Sequence, residues 1–365
     1  MNEIRALTGI RGIAALTVFL AHTRETLWAR GIHLPVSQLT ERLLLSGGRQ
    51  VDIFFVLSGF ILTLVYSSGF DHALSWTSYA RFLRRRLARI YPLHVFMLVL
   101  TAGIVIAAYL SHAEVLNGIT RFTAAGFLQN ILLIHAWGIF AADASSWNPP
   151  SWSISIEALA YLLFPAFLWM TAGLRKNRPW LLLLAALAGG FACNAMTGWG
   201  LTGFSGISRG LTEFALGCAT ASLFRSKVAE FLRSQAGSAA AVCVLLVCFA
   251  LTRDTGFIIS VCATPLLLSL SGRNLPSAFL GWGPMYFLGE ISYSIYLGHF
   301  LFSSMAYRLV NFDWLRNTGA TTAVGLLVIS GIVLGLSTFT YFAVERPGRD
   351  LLAGARKPKS TRLPA

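Results

Sequence analysis

Charge is what this chain lacks. Aspartate, glutamate, lysine and arginine make up 12% of its 365 residues, against about a quarter in soluble domains. Hydrophobic residues make up 55%, so the composition excludes an ordinary soluble domain and points to a membrane protein. Acidic residues are scarcer still, 15 against 29 lysines and arginines, and the net charge is +14. In a soluble chain that excess would suggest nucleic acid. Here the basic residues fall in short runs between apolar stretches: 81–89 (RFLRRRLAR), 175–178 (RKNR), 225–233 (RSKVAEFLR) and the end from Arg346. That is the pattern of loops held on the cytoplasmic side, and no nucleic-acid partner is expected.

Other absences narrow the reading. The five cysteines all lie in apolar segments and none forms a CxxC pair, so they read as small buried hydrophobes rather than disulfides or ligands. No metal motif occurs. No A-x-A cleavage site follows the apolar stretch 12–21, which Arg11 and His22 border, so it reads as a retained first span. Neither an internal repeat nor an appended soluble domain is visible.

What is present is a series of apolar runs near bilayer length, at 7–27, 50–66, 90–111, 152–172, 179–198, 208–224, 237–253, 256–272, 285–309 and 320–342. They predict an all-α, polytopic membrane bundle of about ten transmembrane helices. The segment 122–141 is ambiguous, because it carries Gln129, Asn130 and His135 and runs into 147–150 (WNPP). A full crossing there would put RKNR outside, against the charge rule. A re-entrant or interfacial course keeps every basic loop inside, and re-entrant backbone needs a cavity or protein around it. The expectation is therefore ten spans in a bacterial inner membrane, both termini cytoplasmic. Residues 1–349 would form the membrane domain and 350–365 a basic tail, mobile from Arg346 on.

Ionisable residues inside spans are costly and are functional candidates. They are Arg11 and His22 in the first span, then Glu157, Glu213, Glu290 and His299. Glu345 ends the last span and is read, with Arg346, as a helix-end marker. Arg11 and His22 lie eleven residues apart, so they share one helix face about 16 Å apart along the axis. Arginine keeps its charge and needs an anion or water, whereas a neutral histidine can take a proton from a hydroxyl. The plain alternative is a snorkelling arginine and a histidine bonded to a neighbouring helix. Ser292, Tyr296 and His299 share a second face, with an interhelical hydrogen-bond cluster as the plain alternative. Arg84, Arg85, Arg86 and Arg89 open the third span. Arginine forks suit phosphate oxygens such as those of CoA, although topology and lipid headgroups account for each one alone.

Six segments, in order, carry a resemblance: IRALTGIRGIAALTVFLAH from Ile4, VDIFFVLSGFIL from Val51, RRRLARIYPLH from Arg84, NPPSWSISIEALAYLLFP from Asn148, LGEISYSIYLGHF from Leu288 and VERPGR from Val344. Together they resemble the integral-membrane acyltransferase family 3 over nearly the whole chain. The resemblance implies about ten spans and O-acylation of exopolysaccharide, lipopolysaccharide, peptidoglycan, periplasmic glucans, lipo-oligosaccharides or macrolide-like compounds. It implies acetyl-CoA, or another short acyl-CoA, as donor. Arg11 and His22 would be catalytic, with Glu157 orienting His22 or holding the sugar. Arg85, Arg86 and Arg89 would bind the CoA. Trp152, Ser153, Tyr296 and His299 would contact the substrate. Trp147, Trp152 and Tyr161 are candidates to stack on a sugar, against the plainer role of interface aromatics. Many members carry an esterase-like domain after the membrane part, and this sequence departs in having none.

The expectation is a membrane O-acetyltransferase acting on a carbohydrate or lipid-linked glycan, in contact with membrane lipids and without a metal. A homo-oligomer stays open. The rivals are a secondary transporter or exporter, whose paired halves with broken helices are not seen, and a non-catalytic anchoring subunit.

Overall fold

The computed structural model of the chain describes residues 3–34, 36–111, 122–139, 146–198, 200, 203–251, 256–316 and 318–354. Among these residues there are helices and no strands. In chain order they are α1 (Arg5–Trp28), α2 (Gln38–Leu45), α3 (Gln50–Phe70), α4 (Trp76–Leu110), α5 (Ala124–Ile131), α6 (Trp152–Asn177), α7 (Pro179–Thr197) and α8 (Gly203–Ser222). Then come α9 (Lys227–Arg233), α10 (Gln235–Leu251), α11 (Ile258–Ser269), α12 (Leu275–Gly281), α13 (Gly283–Glu290), α14 (Ser292–Leu309), α15 (Phe312–Arg316), α16 (Gly319–Thr340) and α17 (Arg346–Ala353). Long apolar segments become helices because only there can every backbone N–H and C=O pair inside its own segment. Side-chain caps start the helices that follow turns: Ser37 for α2, Ser226 for α9, Asn274 for α12 and Thr318 for α16.

Among the described residues, six stretches are long and apolar enough to cross a membrane: α1, Gly47–Phe70, α4, Pro149–Asn177, α7 and Gly319–Ala353. A seventh arises if α9 and α10, bent by 86° at their junction, count as one broken span. The expected ten are not reached, for local reasons. The 285–309 run is two helices, since α13 ends at Glu290 and α14 begins at Ser292. The 208–224 run is helix α8, but it carries Arg209 and Glu213 buried within the protein. The 256–272 run yields only the 12 residues of α11. The segment 122–141 holds the eight residues of α5 followed by tight turns, with Leu133 at φ 58°; residues 140 and 141 lie outside those described.

Two close crossings organise the bundle. Gly59 of α3 and Gly217 of α8 meet backbone to backbone, and a Cβ on either would lie 2.0 or 1.9 Å from a carbonyl oxygen of the other helix. Gly9 and Gly12 of α1 do the same against Leu280 in α12 and Gly289 in α13. Small residues at such crossings let dispersion and helix–helix contact replace lipid contact. The second crossing turns the Gly9–Gly12 side of α1 onto α12 and α13, and Arg11 faces inward beside it.

The C-terminal region corrects the expectation of a mobile tail from Arg346. A π-helical turn at Tyr341–Glu345 leads straight into α17, which packs on α4 where Gly348 abuts Pro92. The boundary placed at 349 falls inside this helix, and residues 355–365 lie outside those described.

Candidate active site

α1, α3, α4, α6 and α14 enclose a cavity of about 150 Å³. Most of its wall is apolar, contributed by one stripe of α3 that includes Phe54, Phe55 and Leu62. The polar residues on it are Arg11, Ser58, Arg86, Arg89, Ser153, Glu157, Tyr161, Ser292, Tyr293 and Tyr296. The sequence had singled out Arg11, Arg86, Arg89, Ser153, Glu157 and Tyr296, from four different helices. The fold brings them to one space.

The arginines differ in what they are bonded to. Arg89 donates to Glu345 at 2.8 Å, and the other oxygen of Glu345 accepts from Ser294 at 2.7 Å. Glu345 is 1% exposed. The wider π turn rotates it inward, so the helix-end reading of Glu345 is corrected: it is the buried counter-charge of the cavity. Arg86 lies with its guanidinium carbon 5.6 Å from the Tyr66 ring centre, and its buried Nε has no partner among the described residues. Arg11 makes no hydrogen bond or ion pair to a described side chain. Glu157 accepts from Ser58 at 3.0 Å and from Tyr161 at 2.6 Å. With Arg89 matched by Glu345, the cavity carries two further cations against one further carboxylate.

His22 and His299 lie beyond the cavity wall. Their rings stack with centroids 5.3 Å apart. His299 is 1% exposed and its Nδ1 bonds to the Tyr296 carbonyl at 2.6 Å. A carbonyl only accepts, so Nδ1 carries the proton in neutral His299 and the unpartnered Nε2 holds the lone pair. His22 bonds through Nδ1 to Glu25 at 3.0 Å. Of the two roles expected for Glu157, orienting His22 or holding the sugar, the first falls to Glu25, one turn along the same helix as His22, while Glu157 bonds to Ser58 and Tyr161. Tyr296 separates the two centres. Its ring lines the cavity and lies 6.1 Å from that of His299. Its hydroxyl is held by the Pro150 carbonyl at 3.0 Å and by Ser153 at 2.8 Å.

The family described as an acyltransferase domain (acyltransferase 3) matches residues 4–341. The chain belongs to this family. The acyltransferase is similar to acyltransferase MdmB of Streptomyces mycarofaciens, 27% identical over 98% of this chain and 95% of that protein. It is similar to the putative peptidoglycan O-acetyltransferase YrhL of Bacillus subtilis, 28% identical over 81% of this chain and 48% of that one. Peptidoglycan O-acetyltransferase OatA of Listeria monocytogenes is 24% identical over 81% of this chain and 49% of its own. The chain spans about half the length of the latter two. No solved structure matches it.

Other expected residues of the acyltransferase lie outside the cavity. Arg85 is exposed, one turn before Arg89 on α4, and does not line the cavity. Trp152 is buried, with the Arg209 guanidinium 5.4 Å from its ring centre and Phe55 at 6.2 Å. It is wall material one layer behind the cavity. Trp147 donates its indole N–H to the Thr123 carbonyl and packs on Phe122 and Phe127. Tyr161 is buried, its hydroxyl given to Glu157. Trp152 and Tyr161 are thus closed to a sugar, and Trp147 is part-exposed with its N–H already committed.

The sequence reading missed the pair Asp52–Arg209. Both are buried, Arg209 donates through Nε at 2.8 Å, and the pair joins α3 to α8. The available signal was an acid, Asp52, in one apolar run and a base, Arg209, with Glu213 in another. Among the described residues no group of histidine, cysteine or acidic side chains could hold a metal.

Proposed function

We propose that the protein moves a short acyl group, acetyl foremost, from cytoplasmic acyl-CoA to a hydroxyl of an extracytoplasmic or secreted glycan, an exopolysaccharide or lipopolysaccharide. It does so from a bacterial inner membrane, with both termini in the cytoplasm. The observation that carries this reading is Arg11: a permanent cation without a partner among described side chains, on a mostly apolar cavity that also holds Arg86 and Arg89.

The fit of the donor follows from size and charge. A cavity of about 150 Å³ suits the thin pantetheine arm and its thioester, not a nucleotide. The nucleotide would rest at the mouth, where the first turns of α4 expose Arg84 and Arg85. At 35 residues, α4 is about 50 Å long and outreaches a hydrocarbon core of about 30 Å. Arg86 and Arg11 would then meet the phosphate nearest the arm, and Tyr296 would swing aside to let the thioester reach His22. His22 takes the proton of the acceptor hydroxyl on Nε2, the hydroxyl oxygen bonds to the acyl carbon, and the C–S bond breaks. The proton passes to the departing thiolate, which leaves as CoA thiol. If His22 itself accepts the acyl group first, the kinetics become ping-pong.

The test is release of free thiol from acetyl-CoA by the purified protein in nanodiscs, with His22→Ala and Arg11→Ala alongside. Release lost in both variants supports the reading. Release that persists in His22→Ala at equal expression overturns the role of His22. No release and no acetyl-CoA binding by the wild type overturns the donor. Membership of an acyltransferase family sets the transporter alternative aside.

A further inference from the structure

At the end of α1 remote from Arg11, the chain forms a second recess, of about 210 Å³. Arg24 and Trp28 on α1, His33 in the following turn, and Gln38 and Glu41 on α2 face it. We infer that this recess binds the acceptor and that its ligand is a neutral, hydroxyl-rich carbohydrate. The inference rests on the proposed acyl transfer and assigns the acceptor half of it.

Three observations point to this class. Trp28 is 57% exposed, so it is more open than Trp147, Trp152 or Tyr161. An indole face suits the C–H face of a sugar ring while its N–H suits a hydroxyl. Around it stand planar polar groups. Arg24 is braced against Glu41 by two hydrogen bonds, one through Nε at 2.8 Å, and its guanidinium carbon lies 5.7 Å from the Trp28 ring centre. The side chains of His33 and Gln38 are exposed and bond to no described residue. Together they supply donors and acceptors in the mixture that vicinal hydroxyls require. Finally, the charge is cancelled: Arg24 and Glu41 neutralise each other, so the recess lacks the excess cation that a phosphate or an acidic lipid would need.

Position agrees with chemistry. Trp28 lies six residues beyond His22 on the same helix, about 9 Å along the axis. Trp28 also lies about a third of a turn round α1 from His22, so a glycan with one ring on Trp28 reaches the Nε2 of His22 through several rings laid along the Glu25 side of the helix. Glu25 lies between them, bonded to His22 on its other side.

The test uses the full chain in nanodiscs, labelled acetyl-CoA as donor, and as acceptor the deproteinised surface-glycan extract of the source cells. The same extract after periodate, which cleaves vicinal diols, is run beside it. Acetyl-CoA affinity is measured for every variant. Trp28→Ala should raise KM for the extract about tenfold or more, as loss of one aromatic stack allows, with acetyl-CoA affinity unchanged. Trp28→Phe should keep most of the transfer, and periodate should abolish it. Wild-type KM in Trp28→Ala, or full transfer to the oxidised extract, overturns the inference while leaving the acyl transfer intact. If Trp28→Ala also loses acetyl-CoA affinity, Gln38→Ala and His33→Ala decide: a raised KM supports the recess and an unchanged KM overturns it. Absence of acetyl-CoA binding in the wild type would instead be the failure of the proposed function.

Discussion

His22 and His299 commit the same ring atom, Nδ1, to an oxygen acceptor, and each leaves Nε2 to face the other chemistry of the site. Two bases are present, then, but only His22 is accompanied by a carboxylate. Glu25→Ala should lower kcat about tenfold or more while acetyl-CoA affinity stays level, because it removes the orientation of the base and not the donor site. Glu25→Gln keeps an acceptor for Nδ1–H and should retain more activity than Glu25→Ala. Full activity in Glu25→Ala, read by initial rates at saturating donor, would make the His22–Glu25 contact incidental. Arg11→Lys is a second test at this scale. If the planar fork matters, lysine should not restore donor binding, measured by titration with acetyl-CoA. Arg11 and His22 could be singled out from sequence because a charge in an apolar run is rare enough to be counted by eye; Glu25 was not. Partners were not legible. Glu157 and Glu25 are both carboxylates within reach of a guess; Tyr161 meets Glu157 one turn along α6, and the packing of α6 against α3 adds Ser58.

Between helices, stability is concentrated at the crossing of α3 and α8. The buried pair Asp52–Arg209 and the Gly59–Gly217 contact both lie there. Breaking a buried pair leaves a charge without compensation, at a cost of about 3–5 kcal/mol, whereas replacing both partners is far milder. Arg209→Met should therefore lower the melting temperature in detergent more than the double variant Asp52→Leu, Arg209→Met. Equal losses in a double-mutant cycle would assign the pair no coupling. Gly217→Ala should destabilise by about 1–3 kcal/mol or more, since its Cβ would overlap the Val56 carbonyl. Gly331→Ala in α16, where nothing lies within 4 Å, should be neutral or gain up to about 1 kcal/mol. The all-helical class was readable from run length alone. The count of spans was not. Hydropathy sees an apolar run in 285–309 but not the break at Ile291, and it counts 208–224 although α8 carries Arg209 and Glu213, sheltered by neighbouring helices rather than by lipid.

For the whole molecule, the proposed reaction requires two addresses: arginines on the donor side, the Trp28 recess on the other. In a cysteine-free background, Arg85→Cys should react with an impermeant maleimide only after cells are opened, and His33→Cys in intact spheroplasts. Labelling of both from the same side would contradict the proposed orientation. This sidedness is an expectation drawn from the basic runs between the apolar segments. The recess could not be read, because its walls come from the end of the first apolar run, a turn and the polar helix α2, which only the fold brings together.

Tyr296 has a meaning outside acyl transfer. A bacterial membrane stores its working energy as a proton gradient, and any unbroken file of water through a protein would drain it. Here the cavity ends at the Tyr296 ring, pinned by Pro150 and Ser153, and the histidine pair begins on its far face. The ring would then act as a septum, and the arm of the proposed donor would fill the opening when the ring moves. Vesicles carrying Tyr296→Gly should lose an imposed pH gradient faster than wild-type vesicles, by dye quenching, and acetyl-CoA should slow that leak by plugging it.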